Sequence, residues 1–219
     1  MPEGPGAGTM PEDGALDALL REYRACRICA DAPRHGPPLP HPPRPIVQAA
    51  PGARLCIAGQ APGTRVHLSG RPFTDPSGDR LRRWMGIDAA TFHDPERVAI
   101  VPMGGCFPGQ DGRGGDLPPR RECAPVWRHR LLAALPRLEL IVLVGHYAMR
   151  WHLRDDMRAT LTATVAEGRA IHAQTRRPRL LPLPHPSWRN NTWLRRNPWF
   201  EDDILPLLRA EVARLTAAA

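Results

Sequence analysis

The chain has 219 residues, of which 42% are hydrophobic, and this length suits one domain closed around a single core. It excludes a small peptide held by disulfides and a large multidomain machine, and no apolar stretch approaches the roughly 20 residues that a membrane-spanning helix needs. Thirty basic residues, all of them arginine, outweigh 22 acidic ones. This excess favours nucleic acid as a partner, unless it reflects only a composition drifted towards Arg, Ala, Gly and Pro.

The N-terminal segment, 1–13, is rich in Gly and Pro and is predicted to be a disordered tail, with a single domain over 14–219. The tail lacks a basic stretch followed by an apolar one, so we expect no secretory signal peptide and a cytoplasmic protein. Helical spacing follows at 15–24. The prolines crowded into 33–45 predict an extended strap without regular structure.

Four short apolar runs predict β-strands, at 54–58, 97–103, 138–144 and 179–183. The first three do not alternate with polar residues, which is expected of strands covered on both faces. Helical patterns lie between the strands at 77–85, 121–135 and 146–152, and another follows at 200–215. This alternation predicts an α/β fold, a three-layer α/β/α sandwich around a short four-stranded parallel sheet.

Ligands of such folds bind beyond the carboxyl ends of the strands. The residues that follow the predicted strands are Gly-Gln-Ala-Pro-Gly at 59–63, Gly-Gly-Cys at 104–106, Gly-His at 145–146 and Pro-His-Pro-Ser at 184–187. Two of these loops are unusually rich in Gly, Pro and hydrogen-bonding groups. The active site is therefore predicted at this edge of the sheet.

Four of the five cysteines form two pairs. Cys26 and Cys29 are a C-x2-C pair, Cys106 and Cys123 flank a loop of sixteen residues, and Cys56 lies inside a strand pattern as a core residue. In a cytoplasmic chain such pairs favour metal over disulfides. Zinc suits four thiolates, but the second pair is too wide for a zinc ribbon, and a 4Fe-4S cluster tolerates irregular spacing. The cluster is the favoured interpretation, with zinc or unliganded thiols as alternatives.

The two loops together resemble the uracil-DNA glycosylase superfamily. The residues at 59–63, Gly-Arg-Pro-Phe at 70–73 and Ser-Gly at 77–78 resemble its first motif, and His-Pro-Ser at 185–187 with Arg-Asn-Asn at 189–191 resembles its second. The paired cysteines match the order of the iron–sulfur cysteines in thermophile-type members. The resemblance runs from about Cys26 to Leu208 and implies the fold above.

The resemblance implies a monofunctional, monomeric DNA glycosylase that hydrolyses the N-glycosidic bond of uracil flipped out of DNA, in base excision repair. It also implies a structural 4Fe-4S cluster on the four paired cysteines. Phe73 stands where the family stacks a phenylalanine on uracil, and His185 where a histidine donates to uracil O2. The other implied substrate-binding residues are Gly59, Ala61, Ser187, Arg189 and Asn190. Trp188, Arg189 and Asn190 are expected to face the duplex, and Ser187 is expected to bind a phosphate.

The water-activating carboxylate of the family is missing from its usual places. The best-known branch has Asp where Ala61 stands, and thermophile-type members often carry Glu where Gln60 stands. Gln60 is expected to position water through its amide. Asp75 is our predicted water activator, with His67 and Asp79 as further candidates, although Asp79 also suits a charge in the first turn of a helix.

Recognition of the base is a second departure from the family pattern. Members usually place an Asn four residues before the third cluster cysteine, where this chain has Pro102. Either the backbone at 104–105 or Asn190 or Asn191 reads uracil, or the base is another one, such as hypoxanthine or xanthine. A low-turnover protein that binds uracil or abasic DNA is the remaining alternative. Because the chain contains no lysine, a lysine Schiff-base lyase mechanism is excluded.

Overall fold

A computed structural model describes residues 12–217 of the chain. Residues 1–11 of the predicted tail lie outside this range, and helix α1 (Glu12–Arg24) begins inside the segment predicted as tail. Leu16, Leu20 and Tyr23 of α1 are buried. Their spacing puts them on one face of the helix, and this face packs against the core.

The sheet has four parallel strands, β1 (Leu55–Ala58), β2 (Val98–Ile100), β3 (Leu140–Val144) and β4 (Arg179–Leu183), in the order β2-β1-β3-β4. Apart from Arg179, every strand residue is buried. The continuous apolar runs arise because helices cover both faces of a parallel sheet. The predicted α/β fold is confirmed. Strand β2 is shorter than its apolar run, which reaches Pro102, a residue without a backbone N–H to donate.

The remaining helices are α2 (Ile28–Asp31), α3 (Thr64–Ser69), α4 (Pro76–Met85), α5 (Ala89–Phe92), α6 (His129–Ala133), α7 (His146–Leu153), α8 (Leu161–Ala166), α9 (Gly168–His172), α10 (Asn191–Arg196) and α11 (Leu205–Thr216). The helices predicted at 77–85 and 146–152 correspond to α4 and α7. The predictions at 121–135 and 200–215 begin instead with π-helical turns, Ala124–Arg128 before α6 and Phe200–Ile204 before α11. The helices missed by periodicity have only four to six residues each.

The proline-rich strap at 33–45 contains no helix or strand, as predicted. It is tied to the segment before Cys123. The Glu122 Oε1 atom accepts the backbone N–H groups of Arg34 and His35, both at 2.8 Å. Arg120 donates to the carbonyl groups of His35 and Pro37. Side-chain hydrogen bonds thus replace the regular backbone pairing that proline prevents.

The core joins the sheet to helices from both ends of the described range, from Leu16 in α1 to Leu215 in α11. Among the described residues, no helix combines the length and the apolar character needed to cross a bilayer.

Candidate active site and candidate sulfur site

A cleft with a volume of about 640 Å³ opens at the carboxyl ends of β1, β2 and β4. It brings together both sequence motifs that were predicted to meet there. All the predicted catalytic and substrate-binding residues line it, namely Gly59, Gln60, Ala61, Phe73, Asp75, His185, Ser187, Arg189 and Asn190. Their chemical roles stay predictions, whereas their common location is a property of the fold.

The imidazole of His185 is held in one tautomer by its own loop. Its Nδ1 atom accepts the backbone N–H of Ser187 at 3.2 Å, so the ring proton is on Nε2. Burial lowers the pKa of His185, and the charges of Asp75 and Asp116 offset part of this effect. The ring is therefore neutral near pH 7 and offers one N–H donor at the cleft.

The loop after β4 is fastened at three further points. Asn190 Nδ2 donates to the His185 carbonyl at 2.7 Å, and Arg80 of α4 donates to the Ser187 carbonyl at 3.0 Å. The Ser187 hydroxyl accepts the N–H of Arg189 and begins the 3-10 turn Trp188–Asn190. Because these bonds use backbone and side chains from two elements, His185 has a fixed orientation before any substrate binds.

Phe73 is held in a strained backbone conformation at the side of the cleft. Its φ is 54°, in the left-handed region that non-glycine residues rarely adopt. Gly78 makes this possible, because a Cβ at that position would lie 1.9 Å from the Phe73 carbonyl oxygen. The same oxygen accepts a hydrogen bond from Arg82 at 3.2 Å. The Phe73 ring packs edge-on against Phe92, with 5.9 Å between ring centroids.

Asp75 is half-buried and begins helix α4. Its Oδ1 atom accepts the N–H of Gly78 at 3.1 Å, as an N-cap residue does. Gln60 contacts another loop, because its Nε2 atom donates to the carbonyl of Leu117 at 3.3 Å. The loop between Cys106 and Cys123 is thus docked on the first motif.

The other candidates for water activation lie elsewhere. His67 packs against His41 and Phe107, with ring centroids 4.3 and 5.8 Å away. Asp79 is exposed and pairs with Arg82. Neither lines the cleft in the described part of the chain. The residue that sequence reasoning missed is Asp116, which lines the cleft from within the Cys106–Cys123 loop and belongs to no motif.

The part of the cleft near β2 is apolar. Pro102 lines it together with Ile46 and Ile100, so the position at which the family reads the base carries no hydrogen-bonding side chain. Asn190 also lines the cleft, but its amide NH2 is engaged with the His185 carbonyl. Its Oδ1 atom is left as an acceptor for a base N–H. Asn191 is exposed and does not line the described cleft.

The four paired cysteines line one narrow cavity on the side of α1 and α2. Cys26, Cys29, Cys106 and Cys123 share it with Tyr23, Trp127, Arg120 and Glu122. Backbone and ring N–H groups already point at sulfur, because Gly105 donates to Cys123 Sγ at 3.2 Å and Trp127 Nε1 to Cys26 Sγ at 3.3 Å. Cys56 is buried in β1, outside this group.

Burial opposes the ionisation of two thiols in this cavity. Burial raises the pKa of the Cys106 and Cys123 thiols to about 12, with smaller contributions from the neighbouring cysteines. Such thiols become thiolates only when a cation compensates their charge. Between residues 12 and 217, no three Cys, His, Asp or Glu side chains converge closely enough for one metal ion. Four sulfurs around one cavity with N–H donors suit a polynuclear centre.

A comparison with protein families places the chain in a known superfamily. The family model described as Uracil DNA glycosylase superfamily matches residues 46–209, more than half of the chain. The matched range contains the whole cleft and also Cys106 and Cys123, whereas Cys26 and Cys29 precede it. The chain therefore belongs to this superfamily, and membership indicates a DNA glycosylase, a DNA-binding hydrolase of base excision repair.

Proposed function

On the premise of this membership, we propose that the chain is a monofunctional uracil-DNA glycosylase. The observation that carries the proposal is the fixed neutral tautomer of His185, whose Nδ1 accepts the Ser187 N–H. A donor fixed in advance at the cleft is what the departure of a uracil anion requires.

Binding begins with the extrusion of the nucleotide from the duplex, because the glycosidic bond is out of reach in the stack. The cleft, about 640 Å³ in volume, is of the size of a small-ligand pocket. Phe73 supplies a rigid aromatic platform for the base, since its ring packs edge-on against Phe92. Its strained backbone conformation is expected of a residue held for function.

Bond cleavage leaves negative charge on the base, spread over N1 and O2. We expect the Nε2–H of His185 to donate to O2 as this charge develops. A preorganised donor of this kind is worth about 3–4 kcal/mol of transition-state stabilisation. Because burial lowers the pKa of His185, the imidazole stays neutral to a lower pH than an ordinary histidine does.

The rim of the cleft carries the groups that suit DNA. Trp188 has 71% of its surface exposed, and the Arg189 guanidinium lies 5.7 Å from the centre of its ring. An exposed aromatic residue beside a flipped base fills the gap in the stack, and Arg189 and Arg65, which also line the cleft, suit phosphate contacts. Because no lysine is present, we expect an abasic site with an intact strand as the product.

A second candidate function is excision of another deaminated base. The apolar surface of Pro102, Ile46 and Ile100 favours it, because no side chain there selects the O4 edge of uracil. Asn190 Oδ1 is able to accept an N–H from uracil, hypoxanthine or xanthine alike. The side chains of the pocket therefore suit a base that leaves as an anion, but they do not distinguish uracil from these purines.

We further propose that the four-cysteine cavity holds a structural 4Fe-4S cluster, with zinc as the alternative. The four thiols around one cavity and the N–H groups of Gly105 and Trp127, which donate to Cys123 Sγ and Cys26 Sγ, support the cluster. When bound, the cluster supplies positive charge that keeps the thiols ionised and joins α2 to the 104–123 segment. Two measurements distinguish the cluster from zinc: the absorbance at about 400 nm and an elemental analysis for iron.

The test of function uses labelled oligonucleotides that carry one uracil, hypoxanthine or xanthine, both single-stranded and opposite a partner base. Strand cleavage is measured before and after alkali, with His185→Ala beside the wild type. Alkali-dependent, multiple-turnover cleavage at uracil, lost in the variant, supports the proposal. Cleavage confined to the purines would favour the second candidate, and binding without cleavage would overturn both in favour of a uracil- or abasic-DNA binding protein.

A further inference from the structure

We propose that Asp116, on the loop between Cys106 and Cys123, is the water-activating carboxylate that the first motif lacks. This inference deepens the proposed glycosylase function and rests on it. Asp116 lines the same cleft as His185 and Phe73. Its Oδ2 atom lies 3.0 Å from the point that a Cβ on Gly63 would occupy, so the carboxylate sits directly on the first motif.

The Gln60 side chain shows why a carboxylate can come from this loop. Gln60 stands where related glycosylases often carry Glu, and its amide donates to the carbonyl of Leu117, the neighbour of Asp116. A glutamate at position 60 would lack that donor. We infer that the amide anchors the loop on the motif, and that the carboxylate next along the loop takes over the contact with water.

The loop has the internal bonds needed to fix Asp116. Gln110 and Asp116 form an antiparallel bridge, and Gln110 Nε2 donates to Asp116 Oδ1 at 3.3 Å. The side chain of Asp111 closes the turn by accepting the N–H groups of Arg113 and Gly115, both at 2.8 Å. One carboxylate oxygen of Asp116 is thus held, and the other is available at the cleft.

Asp116 is also a carboxylate without a cationic partner. None of the ion pairs among the described residues includes it, in a chain in which arginine outnumbers the acidic residues. Asp75 differs, because its Oδ1 atom is committed to the cap of α4. A carboxylate that is neither paired nor needed for a helix end is free to accept a proton from water.

The chemical step balances with groups already named. The bond between C1′ and the base nitrogen breaks, and its electron pair leaves with the base, whose O2 receives a hydrogen bond from His185. The water oxygen bonds to C1′, and one water proton passes to Asp116. The products are the base anion, which takes a proton from solvent on release, and an abasic sugar with an intact phosphate backbone. Asp116 then returns its proton to solvent.

The experiment compares single-turnover excision by the wild type with that of Asp116→Asn and Asp202→Asn. Asp202 is an exposed carboxylate outside the described cleft, so both variants lose one charge but only one alters the site. We expect Asp116→Asn to lower the rate about 100-fold or more. We also expect its dissociation constant for a tetrahydrofuran abasic-analogue duplex to match that of Asp202→Asn, because general-base catalysis acts on the reaction and not on product binding.

Two more variants make the outcome decisive. Gln60→Glu in the Asp116→Asn background returns a carboxylate to the first motif, and we expect it to recover at least part of the rate. Equal rates for the Asp116 and Asp202 variants, or a loss confined to Asp75→Asn, would overturn the assignment while leaving the glycosylase function intact. A wild-type chain that excises none of the bases would overturn the function and this inference together.

Discussion

The cleft and the four-cysteine cavity share one loop, 106–123, and they differ in width and in lining. The cleft is wide, and its walls carry a strained aromatic residue, a neutral imidazole and two carboxylates. The cavity is narrow and lined by sulfur and aromatic rings, with two N–H donors directed at sulfur. The cleft has the donor and the carboxylates that the proposed excision needs, and the cavity has the thiols that the proposed cluster needs.

The contrast is informative because the segment 104–123 belongs to both regions. Its ends, at 104–106 and at Cys123, line the cavity, and its middle contributes Asp116 to the cleft. A static centre at the base of a loop is a way to position a reactive side chain at its tip, since a long unsupported loop would not hold a carboxylate in place.

The largest expected effect concerns the static end. We expect Cys26→Ala to lose the bound iron and the associated absorbance, because a cluster needs all four thiolates, and to lower the melting temperature since α2 and the 104–123 segment separate. Cys56→Ala is the matched control, as Cys56 is outside the cavity. Equal iron content in the two variants would contradict the assignment of the four cysteines.

The next effect concerns the reactive end. We expect His185→Ala to lower the single-turnover excision rate about 100- to 1,000-fold without loss of bound iron, because one preorganised donor is removed from the transition state. His146→Ala is the control, since His146 is exposed after β3 and does not line the described cleft. A rate unchanged from the His146 variant would place the chemistry elsewhere.

A smaller effect is expected where the cleft stores strain. Gly78→Ala puts a methyl group 1.9 Å from the Phe73 carbonyl oxygen, whereas at Gly112 a methyl group meets nothing within 4 Å. We expect the first substitution to lower the free energy of unfolding by about 1–3 kcal/mol and to slow excision as Phe73 moves. Gly112→Ala should leave both unchanged. Denaturant unfolding measures the free energy of unfolding of both variants. Equal values would mean that Phe73 moves away from the new methyl group without loss of stability.

The smallest effect tests the packing between the two regions. Arg128 donates to His152 Nε2 at 2.6 Å and to the carbonyl of Val101 at 2.8 Å, behind the cleft and one helical turn after Cys123. Burial lowers the pKa of His152 to about 3, and the charge of Arg128 adds to this. Between pH 6.5, the ordinary pKa of histidine, and about pH 3, His152 binds a proton in the unfolded chain but not in the folded one. The free energy of unfolding therefore falls as the pH falls through this range.

His152→Gln removes this titration and keeps an acceptor for Arg128. We expect the loss of unfolding free energy between pH 6 and pH 4.5 to be smaller in the variant by about 1.4 kcal/mol per pH unit. Urea unfolding at several pH values measures the slope. An identical slope in wild type and variant would show that His152 is protonated without resistance in the folded protein.

Much of the fold and of the cleft followed from local patterns. Apolar runs located all four strands, and the rule that ligands bind at the carboxyl ends of parallel strands predicts that Gly59 and His185 lie close together. Short helices such as α3 and α5 were not predicted, because a helix of one or two turns is too short to give a periodic signal. The predicted candidate His67 follows the first motif closely in sequence but faces His41 and Phe107.

Asp116 marks the limit of such reasoning. It is separated from Gln60 by more than fifty residues, lies in no motif and has no periodic neighbours. Its position in the cleft depends on the hydrogen bond from Gln60 to Leu117 and on the bridge with Gln110. Contacts of this kind arise from tertiary docking of a loop, which a single sequence does not encode in its local pattern.

The most direct test of the account is the amount of free base released by the wild-type chain from an excess of uracil-containing DNA, measured by mass spectrometry. We predict several equivalents of free uracil per chain and, before alkali, an unbroken strand with an abasic site. Tight retention of the DNA with no free base would contradict a glycosylase, and strand breaks before alkali would contradict a monofunctional one.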